Sequence, residues 1–416
     1  MTNASQPPER GAPLLPRNIW VVTLTSFLTD VSSEMLATVL PLFLAQVLGA
    51  KTAAIGLIEG VAETTASLLK MASGWLSDRM GRRKELAVLG YALSACAKPF
   101  LYVATSWGGV LGVRFADRAG KGLRTAPRDA LVADSVDPRR RGLAFGLHRA
   151  GDTGGAVFGI GIALLVVRSV EAGGGAFDRG TFQRLVLLSM VPAFLAVFVL
   201  ALGAREVRRA PKAAGDPAPA GGGRRLGREF QLFVGVMVVF TLGNSSDAFL
   251  ILRAQDVGLS VTSVLGMMLT FNLVYAAVAT PAGALSDRLG RKRLLLLGWL
   301  IYALTYLGFS VARAGWHAWL LMLAYGVYYG LTEGAAKAFV ADLVPADARG
   351  AAYGVFHAAI GLTALPASLA AGVLWQGVGR WTGWGAPAPF AFGAGMALVA
   401  TLMLGVLPLH PRKQEA

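Results

Sequence analysis

The stretch GVRFADRAGKGLRTAPRDALVADSVDPRRRGLAFGLHRAGDTGGAVFG, Gly112 to Gly159, decides the fold. It lies between two long apolar runs yet is dense in charge. As a soluble loop it would cut the chain in two; as a pair of membrane helices it would put its charges at membrane depth. At helical spacing Arg114, Arg118, Lys121, Arg124 or Thr125, and Arg128 follow one another at three or four residues, so they form one stripe along a helix face. A stripe of that kind needs water or anionic partners.

Composition favours the membrane. Of the 416 residues 55% are hydrophobic and only 15% charged, with 52 glycines and a mean hydropathy of +0.56. That profile predicts an all-α polytopic membrane protein, not a soluble enzyme. The net charge of +15 is spread in short clusters between apolar runs, which argues against a nucleic-acid surface. Cys96 is the single cysteine and lies in an apolar run, so no disulfide or thiol metal cluster is expected and the thiol should simply pack. The four histidines show no paired spacing, no metal site is expected, and no glycine-rich loop ends in Lys-Ser or Lys-Thr to hold ATP phosphates. Met1 to Arg17 is polar and carries prolines, which excludes a cleaved signal peptide, so the first span must direct insertion.

Segments able to cross a bilayer, each of about 20 residues or more, are drawn at 18–46, 52–76, 85–107, 109–136, 142–168, 182–204, 229–256, 260–285, 293–313, 316–344, 350–376 and 386–409. The fourth and fifth would be missed by a plain hydropathy threshold. Residues 205–228, rich in proline, glycine and alanine with a basic run at each end, read as a linker. The chain thus divides into a tail 1–17, a six-helix bundle 18–204, the linker, a second bundle 229–409 and a tail 410–416. Arg79, Arg82, Arg83 and Lys84, then Arg139 to Arg141, the linker, Arg288, Arg291, Lys292 and Arg293, and finally Arg412 and Lys413 fall on one side. The positive-inside rule makes that side, with both termini, cytoplasmic.

The halves echo each other. Gly74 to Lys84, GWLSDRMGRRK, recurs 209 positions later as Gly283 to Arg293, GALSDRLGRKR. Val132-Ala133-Asp134 recurs as Val340-Ala341-Asp342, and Ser32-Ser33-Glu34 as Ser245-Ser246-Asp247. Collinear echoes of this kind indicate parallel six-helix repeats.

On these residues the chain, from about Asn18 to His410, resembles the major facilitator superfamily. The loop signature of that family is matched at Gly74 to Arg83 and again at Gly283 to Lys292. The resemblance implies a twelve-helix transporter with a gating motif comprising Gly74, Asp78, Arg79, Gly81, Arg82 and Asp134, repeated by Gly283, Asp287, Arg288, Gly290, Arg291 and Asp342. In it Asp78 contacts a neighbouring helix and Arg82 pairs with Asp134. Lys84 and Arg293 would only mark topology. The fourth-helix motif is matched loosely, with Arg114 in the arginine place; at Gly151 to Gly155 Asp152 replaces the proline of many family antiporters.

A charge at the bilayer centre costs at least about 2.5 kcal/mol, so the stripe must face the interior. Candidate cavity and solute residues are Arg114, Arg118, Lys121, Arg124 and Arg149, with Asn244, Asp247, Asn272, Tyr275, Tyr329 and Glu333 in the second half. Acidic partners are Asp30, Glu34, Glu59, Glu63, Asp117, Asp129 and Asp152. Asp30 with Glu34, and Glu59 with Glu63, are four apart and share a helix face. Candidate proton carriers are Asp30, Glu34, Glu59, Glu63 and Asp152, Glu34 or Asp30 first, with His148 as a relay; the alternative is that the acids only neutralise the stripe. Pro127 predicts a bend in the fourth helix, and Glu333 with Lys337 is an i,i+4 pair.

Function then reads as proton-driven alternating access, with no cofactor, and with a small solute, protons and the lipid bilayer as partners of a monomer in a bacterial inner membrane. Export of an organic solute or drug leads; proton-symport uptake of an anionic solute remains open, as does a non-transporting receptor or assembly protein.

Overall fold

The computed structural model describes residues 15–137, 140–207, 226–345 and 348–407. They form twelve long helical spans: α1 (Arg17–Val47), α2 (Thr52–Met80), α3 (Arg83–Val103), α4 (Trp107–Asp134), α5 (Arg141–Ala172), α6 (Arg179–Gly203), α7 (Arg228–Asp256), α8 (Val261–Leu289), α9 (Arg291–Val311), α10 (Gly315–Leu343), α11 (Arg349–Gln376) and α12 (Ala388–Val406). The two tails and most of the linker fall outside the described residues, but residues 205–207, read as linker, are docked: Glu206 accepts from the amides of Arg83 and Lys84 at 3.1 and 2.8 Å and so caps α3.

Among the described residues nine helices are apolar and long enough to cross a membrane on hydropathy alone; α2, α4 and α10 fall short. One expectation is corrected here. The fifth helix clears the threshold because its apolar Ala156–Val167 run outweighs the charges at its start, whereas α4 fails as its charges run along its length. Cys96 is also corrected: it is exposed on the outer face of α3.

Three spans are interrupted. α1 breaks at Thr38–Val39, ahead of Pro41, and ends in a π-helical turn Phe43–Val47; α3 breaks at Lys98, ahead of Pro99; α7 opens between Gly243 and Ala248. In α1 and α3 the proline removes a backbone donor and starts the next piece. α4 instead runs unbroken through Pro127.

Packing repeats as the sequence does. In the first half α1 packs on α5 and α6, α4 on α2 and α3, and α3 on α6; in the second, α7 packs on α11 and α12, α10 on α8 and α9, and α9 on α12. Between halves α2 lies on α11, and α5 on α8. Exchanging the halves maps each contact onto its counterpart, as a two-fold pseudosymmetric duplication requires. Gly81 at the end of α2 and Gly290 at the end of α8 both adopt positive φ, 64° and 88°, which explains why the repeated loop keeps glycine there.

The seam between halves is tight at the end away from the basic loops. There Thr52 donates to Gly372 O at 2.9 Å, its amide to Gln376 Oε1 at 2.7 Å, and Gln46 to Gln255 at 2.8 Å. A Cβ built on Gly56 of α2 would lie 2.2 Å from Ser368 O of α11; one on Gly354, nearer the basic end, meets only Met71 at 4.0 Å. The seam therefore loosens toward the basic end. Gly56→Val is expected to cost about 1–3 kcal/mol by overpacking, read as a lower melting temperature in detergent micelles; an unchanged melting temperature would contradict so close a seam.

Candidate functional site

A cavity of about 410 Å³ lies between the halves. Its first-half wall carries Glu34 from α1, Glu59 and Glu63 from α2, and Arg114, Arg118 and Lys121 from α4; Asn244, Asp247 and Tyr329 face them from α7 and α10. Ala37, Pro41, Ile251, Met268, Ile360 and Ala364 supply apolar wall. Most of the lining is charged or polar, so the cavity is more polar than the largely apolar lining usual for a small-molecule site.

The cations are unequally committed. Arg114 Nη2 donates to both oxygens of Glu59, at 2.9 and 2.8 Å, and both residues are buried. Arg118 Nε lies 3.3 Å from Asp117 and its Nη1 3.8 Å from Glu63. Lys121 is exposed to the cavity and has no ion pair among the described residues, and Glu34 likewise has neither an ion pair nor a side-chain hydrogen bond there.

The stripe read from the sequence divides along α4. Arg124 does not line the cavity: it lies 4.5 Å over the Tyr91 ring and donates to Ser94 at 2.6 Å, both on α3. Arg128 reaches Asp129 at 2.9 Å and Ser26 of α1 at 3.2 Å. Three or four residues per turn keep a stripe together only approximately, and α4 is packed on two helices at once. Asp30, similarly, is not on the cavity wall but against α5, where a Cβ on Gly155 would meet its own Cβ at 3.0 Å. Asn272 donates to Met268 O at 3.0 Å within α8 and is not on the wall either.

On α5, His148 Nδ1 lies 3.1 Å from Asp152 Oδ1, outside hydrogen-bond geometry. Neighbouring Arg149 points instead across the seam: it donates to Glu333 of α10 at 3.1 Å and to Tyr275 of α8, and Tyr275 donates to the same carboxylate. Lys337 donates to the other oxygen of Glu333 at 2.9 Å. Behind Tyr329 stands a stack of rings, in which Tyr325 donates to Asp247 at 2.7 Å and Tyr302 to Gly243 O at 2.9 Å.

At the basic end the expected Arg82–Asp134 pair is not formed. Arg83 makes it, and also donates to Ala130 O at 2.9 Å, while Arg82 pairs with Glu85 at 3.2 Å in an exposed contact. Arg83 is the first residue of α3 and points inward, whereas Arg82, one position earlier in the loop, points to solvent. In the second half Arg291 pairs with Asp342. Arg79 lies 5.4 Å from the Trp75 ring, and Arg288 ends α8 exposed; Gly74 packs on Ala126, and Gly283 has no neighbour at its Cβ position. The side chains of Asp78 and Asp287 lie outside the described residues. Besides Arg83, sequence reasoning passed over buried Lys98, whose signal was a lone lysine before a proline inside an apolar span.

Twelve membrane-depth helices in two equivalent bundles about a polar cavity define a multi-pass transporter fold. A family model described as Major Facilitator Superfamily matches residues 22–252 and 232–416. An uncharacterized MFS-type transporter of Methanocaldococcus jannaschii is 35% identical over 397 residues, 94% of each chain. The class C tetracycline resistance protein of Escherichia coli is 28% identical over 71% of this chain and 73% of its own. Among solved structures, the nucleoside transporter NupG superposes with a TM-score of 0.74 at 13% identity, over 93% of this chain and 99% of that one. A D-xylose-proton symporter gives 0.73 at 15% identity, over 93% and 96%. The chain belongs to the Major Facilitator Superfamily and is a membrane transporter rather than an enzyme.

Arg83→Ala is expected to cost about 3 kcal/mol by removing the buried guanidinium that holds Asp134 in a poorly solvated site, whereas Arg82→Ala should change stability by less than about 0.5 kcal/mol. Thermal unfolding of both variants checks the order, and equal losses would contradict the assignment. Arg114→Ala, which strands buried Glu59, should likewise lower stability by about 3 kcal/mol; wild-type melting would mean that Glu59 is solvated.

Proposed function

We propose that the protein is a proton-coupled exporter of a small organic solute in a bacterial inner membrane, acting as a monomer with its basic loops and both termini on the cytoplasmic side. The bundles, taken as 18–204 and 229–409, would rock about the central cavity. Glu34 carries the reading: it is a cavity carboxylate without an ion pair among the described residues, beside a Glu59 already held by Arg114. A carboxylate free of a fixed cation can take up and release a proton as solute comes and goes, whereas one clamped by a guanidinium stays charged. Asp30 and Asp152, which stand behind the wall, are second candidates, and His148 a relay between them and the cavity. The loop pairs Arg83–Asp134 and Arg291–Asp342, each within one bundle, would brace the basic end of that bundle as the two move. The tetracycline resistance relatives support export and an organic solute.

Uptake of an anionic solute is the second reading, favoured by Lys121, the cavity cation without an ion pair among the described residues. Arg114 and Arg118 are less suited to hold an anion because carboxylates already occupy them.

Proteoliposomes with an imposed pH gradient, offered tetracycline and then anionic, cationic and neutral organic solutes, test the proposal. Wild-type protein is expected to accumulate at least one solute, with movement of protons in the opposite direction. Glu34→Gln should lose gradient-driven accumulation and keep solute exchange at equal pH. Unchanged gradient-driven accumulation in Glu34→Gln would remove it as the carrier, and accumulation of an anion together with protons would favour uptake.

A further inference from the structure

Lys98 is a buried charge that the reading above leaves unused. It stands where α3 breaks into Arg83–Ala97 and Pro99–Val103, and it is 4% exposed. Its Nζ donates to Ser33 Oγ of α1 at 3.2 Å and to Ser32 Oγ, which in turn donates to Ser189 O of α6 at 2.6 Å. Among the described residues no carboxylate oxygen lies within 4.0 Å of Nζ, whereas the buried Arg83, Arg114, Arg118 and Arg253 each have one, and buried Arg124, which has none, lies instead over the Tyr91 ring, a partner that Lys98 does not have there. A permanently charged group buried at membrane depth is expected to have such a partner.

Two hydroxyls are a different kind of partner. Both hydroxyl oxygens accept from an ammonium, and the O–H of Ser33, which unlike that of Ser32 is not given to a carbonyl among the described residues, can rotate to donate to the lone pair of an amine, so the same site satisfies both forms of a lysine; a carboxylate satisfies only the charged one. A chamber of about 20 Å³ lies beside Lys98, lined by Ser33, Lys98, Arg114, Asp117 and Arg118 and, for the other half, by apolar side chains of α1, α3 and α4, and this is room for one water molecule. Arg114 and Arg118 also form the wall of the main cavity, and Ser33 precedes Glu34 in α1. The charged groups that face Lys98 are Asp30 of α1 and Asp117, Arg118 and Arg124 of α4, with Arg114 at the edge of the chamber; α6 contributes the Ser189 carbonyl.

We propose that Lys98 is a proton-exchanging residue of the transport cycle, its ammonium giving a proton to water in the chamber behind Arg114 and Arg118 and its amine taking one back. The role rests on the proton-coupled reading above. It assigns the cycle a basic group opposite the acidic Glu34, both served by adjacent positions of α1.

Protein labelled at lysine Nζ with nitrogen-15 and held in nanodiscs tests this without a solute. The Lys98 signal, assigned by its loss in Lys98→Arg, is expected to pass between ammonium and amine positions across about pH 5 to 9, the interval between documented buried lysines and an ordinary one. If Lys98→Arg does not fold, displacement of one signal in Ser33→Ala makes the assignment. A Lys98 signal that stays ammonium over the whole range overturns the proposal, even where wild-type flux follows the pH gradient. A titrating Lys98 in a wild-type protein whose solute exchange ignores the gradient would overturn the proton-coupled reading, and the role with it.

Discussion

A charge carried to membrane depth must be met by another, and here the meeting of Arg114 with Glu59 sets the rest. The pair is buried, doubly hydrogen-bonded, and joins α4 to α2 at the wall of the cavity. It turns the most charged helix inward and keeps its cations from lipid. It also decides what remains available: once Arg114 and Arg118 hold carboxylates, Glu34, Lys121 and the tyrosine-bonded Asp247 are the cavity charges without an ion pair among the described residues, left to meet a solute or a proton.

The two halves share a skeleton and differ in chemistry. Every packing pair of the first half has its counterpart in the second, and the glycine that ends α2 is repeated at the end of α8. Yet at the cavity wall the first half supplies the ion pairs, while the second supplies stacked tyrosines with Asp247 among them. Such asymmetry suits a carrier in which one bundle handles charge and the other offers an amphipathic wall. Arg149 links the two by reaching from α5 to Tyr275 and Glu333, so a movement of the bundles must break or exchange that contact.

Most of the fold was legible because two independent signals agreed. Apolar length located most of the spans, and the repeat of Gly74 to Lys84 at Gly283 to Arg293 supported α4, which with α2 and α10 hydropathy alone does not find. Finer placement was not legible, for physical reasons. Helical spacing put Arg124 with Arg114, but the ring of Tyr91 draws it out of the cavity. A single step in the loop gave the Asp134 pairing to Arg83, because that residue opens α3 and Arg82 does not. Lys98 was hidden because a lone lysine in an apolar run carries no periodic signal, and its partners, Ser32 and Ser33, come from a distant helix.

The central claim is that the bundles rock about this cavity, closed at one end while open at the other. Spin-label distances across the halves test it, with one pair at Met80 and Leu289 near the basic loops and a second at Lys51 and Val378 at the opposite end, all exposed positions. The account predicts two populations in which one distance lengthens as the other shortens when pH or solute is changed. Distances that stay fixed, or that lengthen together, would contradict it.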